Sequence, residues 1–351
     1  MKNLITVLAF ALILIGADFA AENPVYQQAD QLAAARNYAD AIALLKKELS
    51  PDPRNANKEN AATLYRLGNF SRLAGQEDAA QNFWQQAYAA YPLTAAGRLS
   101  ALALGDAAYA RFAGATPNFD EWEKIRNFYS DALGMDGARF LDAATIARLF
   151  ERLNRLNDRL VFDPNTQVAG AEFYRVQSGD NLTRIAKKLG LDTWYSLAAI
   201  NPVNPQNLRV GQKLKAVTGR VFILINKRNF SLAWYLDGVF IRGYRCALGA
   251  PESETPPGRY KIVRMEVNPD WTDPNGQTFK FGEPGHLIGS RWLAMEGEGT
   301  NGLGIHGTVD PDSVGTKVSN GCIRLRKKDV EELYGFVSIQ PGHESEVLVV
   351  E

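Results

Sequence analysis

The apolar pattern changes its period twice along this chain of 351 residues, and one fold cannot accommodate that change. Residues 25–160 are rich in alanine and repeat their apolar positions at helical spacing. Residues 174–217 mix short strand and helix patterns, and from Arg220 onward apolar residues alternate or form short runs, as strands do. A domain averages about 150 residues, so the length also agrees with two or three domains. We therefore expect a multidomain protein.

The N-terminal residues predict export. Lys2 precedes an apolar run from Leu4 to Gly16, which is shorter than the ~20 residues of a membrane span but fits the core of a signal peptide. We expect a signal peptide over residues 1–21 and an exported protein in the periplasm or elsewhere in the cell envelope. An uncleaved N-terminal anchor is the alternative, because no clean cleavage motif follows the run.

Composition argues against several classes of function. The chain carries 39 basic and 39 acidic residues and is 46% hydrophobic, which argues against a disordered chain and against a nucleic-acid partner. With 2 cysteines the chain is not a disulfide-rich scaffold, and with 3 histidines and no cysteine cluster it offers no metal site. The sequence indicates no cofactor.

An internal repeat marks the helical segment. One copy places residues at tetratricopeptide positions, namely Leu64, Leu67, Gly68, Gly75, Ala80, Trp84, Ala87 and Pro92. A weaker copy comprises Ala29, Tyr38, Ala41, Leu45 and Pro53. The segment resembles a tetratricopeptide-like helical array, which predicts an all-α domain over residues 22–162 and a protein partner on the repeats. Beyond Ala101, where the repeat fades, a generic helical bundle is equally compatible.

A small module follows a linker rich in Pro, Asn and Gly at residues 163–171. Tyr174 to Leu182 predicts a short strand that ends in a turn, the apolar residues from Leu182 to Leu189 continue at helical spacing, and Leu208 to Leu214 predicts a turn and a closing strand.

Residues 174–217 resemble the lysin motif (LysM), and we place the module at residues 172–217. The resemblance implies a β-α-α-β module that binds the N-acetylglucosamine-containing glycan of peptidoglycan. The resemblance points to these residues as glycan contacts: Gly179, Asp180, Asn181, Leu182 and Asn201. Asn181 replaces the threonine usual in the family. A degenerate module that only spaces two domains is the alternative.

The C-terminal segment, residues 218–351, has the pattern of a β domain. Val221 to Ile225 is a continuous apolar run, as in a strand buried on both faces. Asp237-Gly238 predicts a two-residue hairpin turn, and Val347 to Val350 predicts a last strand. One helix is expected, at Lys327 to Leu333. We expect a mainly β domain, a sandwich or barrel of mixed strands.

Two short stretches of this β domain concentrate reactive groups. A cysteine thiol with a pKa of ~8.5 is only slightly ionised at neutral pH. A histidine within hydrogen-bond reach stabilises the thiolate and later returns a proton to the leaving amine. His306 and Cys322 are 16 residues apart, which allows two adjacent strands joined by a loop. Gly321 leaves room for a carbonyl substrate, and the N–H groups of Gly321 and Cys322 are candidate oxyanion donors.

The motif around these residues resembles the active-site signature of the L,D-transpeptidase family, whose catalytic domain is called YkuD-type. The resemblance covers His306-Gly307-Thr308 and the stretch from Ser319 to Leu325, with ten residues between them. Upstream, Thr255-Pro256-Pro257-Gly258 and the Gly-x-Arg-Trp segment ending at Trp292 resemble two further family motifs. The similarity spans residues 220–351, so the family's β fold is expected there.

The resemblance implies a reaction and roles for individual residues. Cys322 would attack the bond between the diamino acid and D-Ala of a peptidoglycan tetrapeptide stem, form a thioester and release D-Ala, after which an amine acceptor would take the acyl group. His306 matches the general base and acid, and the carbonyl of Gly307 would orient its ring. The pocket positions of the motif are Ser319, Asn320, Gly321 and Arg324. Asn320 replaces the histidine that is usual in the family. The resemblance also implies that carbapenems acylate the nucleophilic cysteine.

Three functions remain compatible with the sequence. The first is the L,D-transpeptidase that cross-links two stems. The second keeps the enzyme and changes the acceptor: water would make it an L,D-carboxypeptidase, and a lysine of an envelope protein would attach that protein to the stem. The third is a non-catalytic cell-wall-binding scaffold, which the joint presence of His306, Gly321 and Cys322 disfavours.

The remaining cysteine, histidines and tryptophans of the β domain have simpler interpretations. Cys246 lies on an apolar strand and is expected in the core, although a disulfide with Cys322 is chemically allowed outside the cytoplasm. His286 is either a loop residue or part of a lid over the cleft, and His343 is expected to face solvent. For Trp271 and Trp292, core and pocket wall both stay open.

Overall fold

The structure is a computed structural model. It describes residues 23–49, 58–112, 118–134, 140–273, 275–297 and 302–351. The expected signal peptide over residues 1–21 lies outside the described residues, as does Pro53 of the weaker repeat copy. The chain divides into two compact units, one of N-terminal helices and one that runs from Ala143 to Glu351. No helix among the described residues combines the length and the apolar character needed to cross a membrane.

The N-terminal unit consists of helices, each packed against the next in sequence. They are α1 (Pro24–Ala34), α2 (Tyr38–Glu48), α3 (Lys58–Leu73), α4 (Glu77–Ala90), α5 (Ala95–Arg111) and α6 (Phe119–Leu133). The side chains of Asn37, Thr94 and Asn118 cap the N-termini of α2, α5 and α6 by accepting hydrogen bonds from backbone N–H groups. The prediction of an all-α domain is confirmed for this unit.

Most residues at the predicted repeat positions lie in the core of these helices, whereas Gly75 and Pro92 are exposed. Trp84 on α4 is fully buried against Gly68 on α3, where an added Cβ would lie 2.3 Å from the indole ring. Glycine is needed at this position because the two helices approach closely there. Other repeat positions buried in the same unit are Ala29, Ala41, Leu45, Leu64, Leu67, Ala80 and Ala87. The helical region is therefore consistent with tetratricopeptide-like repeats.

The LysM module has the predicted β-α-α-β order. Its elements are β1 (Ala171–Arg175), α8 (Leu182–Lys188), α9 (Tyr195–Ile200) and β2 (Lys213–Val217). The helix that precedes the linker is α7 (Ala143–Leu160). β1 and β2 pair antiparallel, with Ala171 opposite Val217. Both short helices pack on this ribbon through a small apolar core of Val176, Leu182, Ile185, Ala186, Leu197, Leu214 and Ala216.

The C-terminal domain is built on one mixed sheet of eight strands, in the order β13-β11-β10-β7-β14-β3-β4-β5. Its long strands are β3 (Val221–Asn226), β4 (Ser231–Leu236), β5 (Val239–Arg245), β7 (Gly258–Val267), β10 (Arg291–Glu296), β11 (Gly304–Gly307), β13 (Ile323–Leu325) and β14 (Glu346–Val350). Short strands outside this sheet are β6 (Leu248–Gly249), β8 (Trp271–Thr272), β9 (Thr278–Phe279) and β12 (Lys317–Ser319). Within the eight-stranded sheet the β14–β3 and β11–β13 pairings are parallel, and outside it β12 and β6 also pair parallel.

The elements predicted for this domain are present. The turn Asp237-Gly238 has positive φ at both residues, 48° and 82°, as a tight two-residue hairpin requires. Helix α10 (Lys327–Phe336) follows β13 directly and packs on β10 and β11. The prediction of a mainly β, barrel-like domain with mixed strands is confirmed.

Helix α7 (Ala143–Leu160) belongs to this second unit, although the sequence pattern grouped it with the helical array. It packs on the edge strand β5, where the Phe150 ring covers Gly243. The side-chain amide of Asn157 donates hydrogen bonds to the carbonyls of Phe240 and Ile241, both at 2.9 Å. Helical periodicity identifies a helix but not the surface that it covers, so the predicted boundary at residue 162 does not separate the two compact units.

Candidate active site

Three neighbouring strands place a row of side chains on one face of the sheet. Trp292 on β10 pairs with His306 on β11, and His306 pairs with Arg324 on β13. Paired residues point to the same face of a sheet, and so do residues two apart along a strand. Cys322, which immediately precedes β13, therefore lies on the face of His306. Both side chains line one cavity of about 390 Å³.

The His306 ring is buried and held from two sides. Its Nδ1 lies 2.6 Å from the carbonyl oxygen of Gly307, and the Trp292 ring stacks on it at a centroid distance of 5.6 Å. A carbonyl can only accept, so Nδ1 carries the proton and Nε2 keeps its lone pair. Burial lowers the pKa of His306 to about 4, against the opposing effect of backbone hydrogen bonds to Gly307 and Ile288. The imidazole is thus a neutral base at pH 7.

The Cys322 thiol is half-buried and uncharged. Its Sγ lies 3.6 Å from the carbonyl oxygen of Gly302. Burial raises the pKa of this thiol, while a backbone hydrogen bond from Gly304 and the charge of Arg324 act in the opposite direction. With a neutral imidazole and a protonated thiol lining the same cavity, the resting site is not a thiolate–imidazolium pair, so the stabilised thiolate expected from the sequence is not the resting state. The proton must move when the sulfur attacks.

The nucleophile loop, residues 319–322, is fixed from outside by the segment before β7. The Thr255 hydroxyl donates to the carbonyl of Gly321 at 2.8 Å and accepts from the Gly249 N–H at 2.9 Å. The Ser253 hydroxyl donates to the carbonyl of Ser319 at 3.0 Å. Gly321 has φ 101°, a conformation that side-chain-bearing residues rarely adopt. Thr255, which the sequence offered only as part of a motif, is therefore a support of this loop.

The remaining predicted pocket residues also surround the cavity. Ser319, Asn320 and Arg324 line it, and Asn320 is exposed. Gly321 is buried and does not line the cavity. Within the described part of the chain, the N–H groups of Gly321 and Cys322 donate no hydrogen bond, which keeps them as candidate oxyanion donors.

The opposite wall of the cavity was not identified from the sequence as a group. It comes from the segment between β7 and β10 and from β7 itself: Arg264, Glu266, Pro269, Asp270, Trp271, Thr272, Leu287 and Ile288. Trp271 stacks on Phe279 across the β8–β9 hairpin, with centroids 5.6 Å apart. In the sequence, this wall is marked only by aromatic and charged residues inside a stretch that is rich in Pro and Gly. Of the two open interpretations, Trp271 and Trp292 both belong to the pocket wall.

The other histidines and Cys246 lie away from the reacting pair. His286 is buried in a loop, with Nε2 2.8 Å from the carbonyl oxygen of Pro269, and it supports the wall. His343 is exposed. Cys246 is fully buried, burial raises the pKa of its thiol to about 12, and both cysteines are free. Among the described residues, no three His, Cys, Asp or Glu side chains are grouped to hold a metal ion.

Most side chains predicted to contact glycan instead form hydrogen bonds or apolar contacts inside the LysM module. The Asp180 carboxylate accepts hydrogen bonds from Tyr174, Gln177 and Lys188, and the Asn181 side chain caps α8.

Two more of these predicted residues are buried. Leu182 lies in the core of the module. The Asn201 amide donates to the carbonyls of Leu197 and Lys215 and accepts from the Lys215 N–H, all at 2.8 Å. These two side chains build the module, so surface contacts with a glycan would have to come from the exposed backbone around Gly179 and from neighbouring loops.

Comparison with known proteins relates both C-terminal modules to described families. Residues 220–348 match the family model of the L,D-transpeptidase catalytic domain, and residues 174–216 match that of the LysM domain. A putative L,D-transpeptidase, YqjB of Bacillus subtilis, is 34% identical over 123 residues, which cover 34% of this chain and 68% of the relative. The putative L,D-transpeptidase YkuD of the same organism is 30% identical over 172 residues, covering 47% and 92%.

Solved structures of similar proteins align over part of the chain. An L,D-transpeptidase from Mycobacterium smegmatis aligns with a TM-score of 0.31 and 21% identity, over 41% of this chain and 65% of that one. L,D-transpeptidase 3 from Mycobacterium tuberculosis, solved with a faropenem-derived adduct, aligns with a TM-score of 0.30 and 21% identity, over 40% and 66% of the two chains.

Proposed function

This chain belongs to the L,D-transpeptidase family, and from that premise we propose that it is a cysteine-dependent peptidoglycan L,D-transpeptidase with Cys322 as nucleophile and His306 as general base and acid. The observation that carries the proposal is the placement of both side chains on one face of the sheet, lining one cavity. A LysM module on the same chain supports peptidoglycan as the substrate.

The proposed first half-reaction forms a thioester. The Cys322 sulfur attacks the carbonyl carbon of the diamino acid, and its proton passes to Nε2 of His306. The tetrahedral intermediate carries an oxyanion, for which the N–H groups of Gly321 and Cys322 are the available donors. The C–N bond then breaks, the imidazolium protonates the leaving amine, and D-Ala departs.

The proposed second half-reaction transfers the acyl group. An amine of a second stem attacks the thioester carbonyl, the C–S bond breaks, and His306 moves the amine proton to the sulfur. The Nδ1–H bond to the Gly307 carbonyl stabilises the imidazolium in both halves and fixes its tautomer, so no carboxylate partner is needed. Water or a protein lysine as acceptor would give the carboxypeptidase or the attachment reaction instead.

The cellular setting is part of the proposal. Export through the N-terminal segment would place the chain in the cell envelope, where the stems are. LysM would bind the glycan strand, and the helical repeats would dock a protein partner.

The decisive experiment measures D-Ala release from a purified tetrapeptide stem. Wild type should release D-Ala, and with an added amine acceptor mass spectrometry should find the cross-linked product. Cys322→Ala should abolish release, whereas Cys246→Ala, which removes a buried thiol away from the cavity, should retain it. Unchanged release by Cys322→Ala would refute the proposed nucleophile, and hydrolysed stem as the sole product would make the chain a carboxypeptidase.

A second measurement separates enzyme from scaffold. Incubation with a carbapenem should add the mass of one drug molecule to the wild-type protein and none to Cys322→Ala. The faropenem-derived adduct on the similar Mycobacterium tuberculosis chain motivates this probe. A wild-type chain that forms no adduct and releases no D-Ala would favour the non-catalytic wall-binding scaffold.

A further inference from the structure

The LysM module is docked on the catalytic domain through its second helix. α9 packs against α10. The contact has no room for a side chain at position 335, which is occupied by glycine. A Cβ added to Gly335 would lie 2.9 Å from the backbone nitrogen of Ser196 and 3.1 Å from the carbonyl carbon of Tyr195. The backbones of the two helices are therefore in direct contact. Contact this close indicates a fixed docking of the module and not a loose attachment through the linker.

An arginine of the catalytic sheet is enclosed in this contact. The guanidinium of Arg291 lies 4.8 Å from the ring centroid of Tyr195 in LysM and 5.2 Å from that of Tyr334 in α10. The two tyrosine rings meet edge to face with centroids 5.7 Å apart. Arg291 is buried, and its Nη1 donates to the carbonyl of Ser290 at 2.7 Å. Its Nη1 also lies 3.9 Å from the Glu331 carboxylate on α10, so the cation is held by the two rings and by this ion pair together.

Arg291 is the residue before Trp292 on β10. Successive side chains of a strand point to opposite faces, so Arg291 faces α10 and LysM while Trp292 faces the cleft. The Trp292 ring stacks on His306 with an interplanar angle of 27°. The start of the same strand is held to α10, because the Ser290 hydroxyl donates to Glu331 at 2.6 Å. The Tyr195 contact thus lies directly behind the ring that packs on the general base.

Polar contacts hold the rest of the module in place. The side-chain amide of Gln340 donates to the carbonyl of Gly190 at 2.9 Å and to Asp192 at 3.1 Å. The buried ammonium of Lys215 donates to the carbonyls of Leu160 and Asp163, both at 2.9 Å, and so ties β2 to the end of α7.

We propose that the LysM module is a structural part of the catalytic site, and that Tyr195 is a positioning residue that holds Arg291 and, through Trp292, the imidazole of His306. The inference rests on the proposed function, since His306 matters only if it is the catalytic base. It predicts that LysM contributes to turnover of substrates that contain no glycan and cannot bind the module.

The test compares Tyr195→Ala with Tyr195→Phe on a soluble tetrapeptide stem without sugar. Tyr195→Phe keeps the ring and should retain wild-type kcat. Tyr195→Ala removes the ring and should lower kcat by about tenfold with little change in KM, because a misplaced catalytic group affects the chemical step. Circular dichroism and thermal unfolding establish that both variants are folded.

A spectroscopic readout separates positioning from general damage. NMR titration of the three histidines should find His306 protonating near pH 4 in wild type and in Tyr195→Phe. In Tyr195→Ala the midpoint should move up toward that of a solvated histidine, because loosened packing admits water to the ring. If Tyr195→Ala does not fold, Arg291→Met, which removes the charge and keeps the stem, is judged by the same two readouts.

A folded Tyr195→Ala variant with wild-type kcat and an unshifted His306 midpoint would overturn the inference. A shifted midpoint in a protein whose wild type never releases D-Ala would instead leave the positioning intact and refute the proposed function.

Discussion

The first loop of LysM, residues 177–181, and the nucleophile loop, residues 319–322, each turn on a glycine with positive φ, Gly179 at 81° and Gly321 at 101°. In the LysM loop the Asp180 carboxylate and the Asn181 side chain bond to their own module. In the nucleophile loop the Ser319 hydroxyl donates to the Cys322 carbonyl, and the carbonyls of Ser319 and Gly321 accept from the supports outside the loop. The N–H groups of Gly321 and Cys322 have no hydrogen-bond acceptor among the described residues. With similar backbone geometry, the side chains of the LysM loop are used in hydrogen bonds within the module, whereas the nucleophile loop keeps two N–H groups free to bind a ligand.

The comparison predicts which property each substitution will change. Where polar groups are mutually satisfied, a substitution should lower the free energy of unfolding. Where polar groups have no partner until a substrate binds, a substitution should lower turnover and have a smaller effect on stability.

The largest contrast is expected between Gly321→Ala and Gly179→Ala. Both place a Cβ at positive φ, which costs about 1 kcal/mol of stability. The Cβ at Gly321 would also lie 3.1 Å from Leu303 Cδ2 and tilt the adjoining N–H groups, so kcat for D-Ala release should fall about 100-fold. Gly179→Ala should leave turnover of a soluble stem unchanged. Equal kcat in the two variants would contradict the assignment of the oxyanion site.

Acid should destabilise the cleft through His306. Its pKa in the folded chain is about 4, against 6.5 for a free histidine, so the unfolded chain binds more protons between these values. The free energy of unfolding should therefore fall by about 3 kcal/mol as pH drops from 6.5 toward 4. Denaturant unfolding of wild type and His306→Gln across this range measures the effect.

The variant serves as the control for other titrating groups. Burial raises the pKa of Asp329 to about 6, which acts in the opposite direction as pH falls, and the difference between the two proteins removes it. A parallel pH dependence in wild type and His306→Gln would show that the folded imidazole is not desolvated.

In LysM, Asn201→Ala should reduce stability rather than remove a glycan ligand. The buried amide makes three hydrogen bonds, and its loss leaves the Lys215 backbone N–H without a partner, so the free energy of unfolding should fall by about 2 kcal/mol. Asn207→Ala on the exposed loop is the matched control, with a change within about 0.5 kcal/mol. Lost binding to insoluble peptidoglycan with unaltered stability would restore Asn201 as a contact.

The difference between the two loops also explains what the sequence could predict. Cys322, His306 and Gly307 were predicted because they resemble a family motif that is compact in the sequence, and two short strands in parallel register place His306 and Cys322 on one face of the sheet. Asn201 resembled a ligand because residue type alone does not reveal that its amide bonds to the backbone of β2.

Contacts between distant segments were not predictable. The packing of α7 on β5 and the enclosure of Arg291 by Tyr195 and Tyr334 join residues far apart in the chain. Their partners follow from the assembled sheet and not from any periodicity. The sequence pattern therefore grouped α7 with the helical array and predicted for LysM only glycan binding or the spacing of two domains.

The smallest effect is expected at the open edge of the cleft. Asn320 is exposed and lines the cavity, and the family usually has histidine at this position. Asn320→His should change kcat/KM for D-Ala release by about threefold or less at pH 7.5, because no reacting proton passes through this side chain. It should add one new titration near pH 6.5 to the pH profile, since an exposed imidazole keeps its ordinary pKa. Asn320→Gln, which lengthens the amide without adding a titrating group, should lack that step. If Asn320→His lost as much activity as Gly321→Ala, Asn320 would have to contact the reacting centre. Its side chain would then belong with the groups that bind the substrate, together with the N–H groups of Gly321 and Cys322.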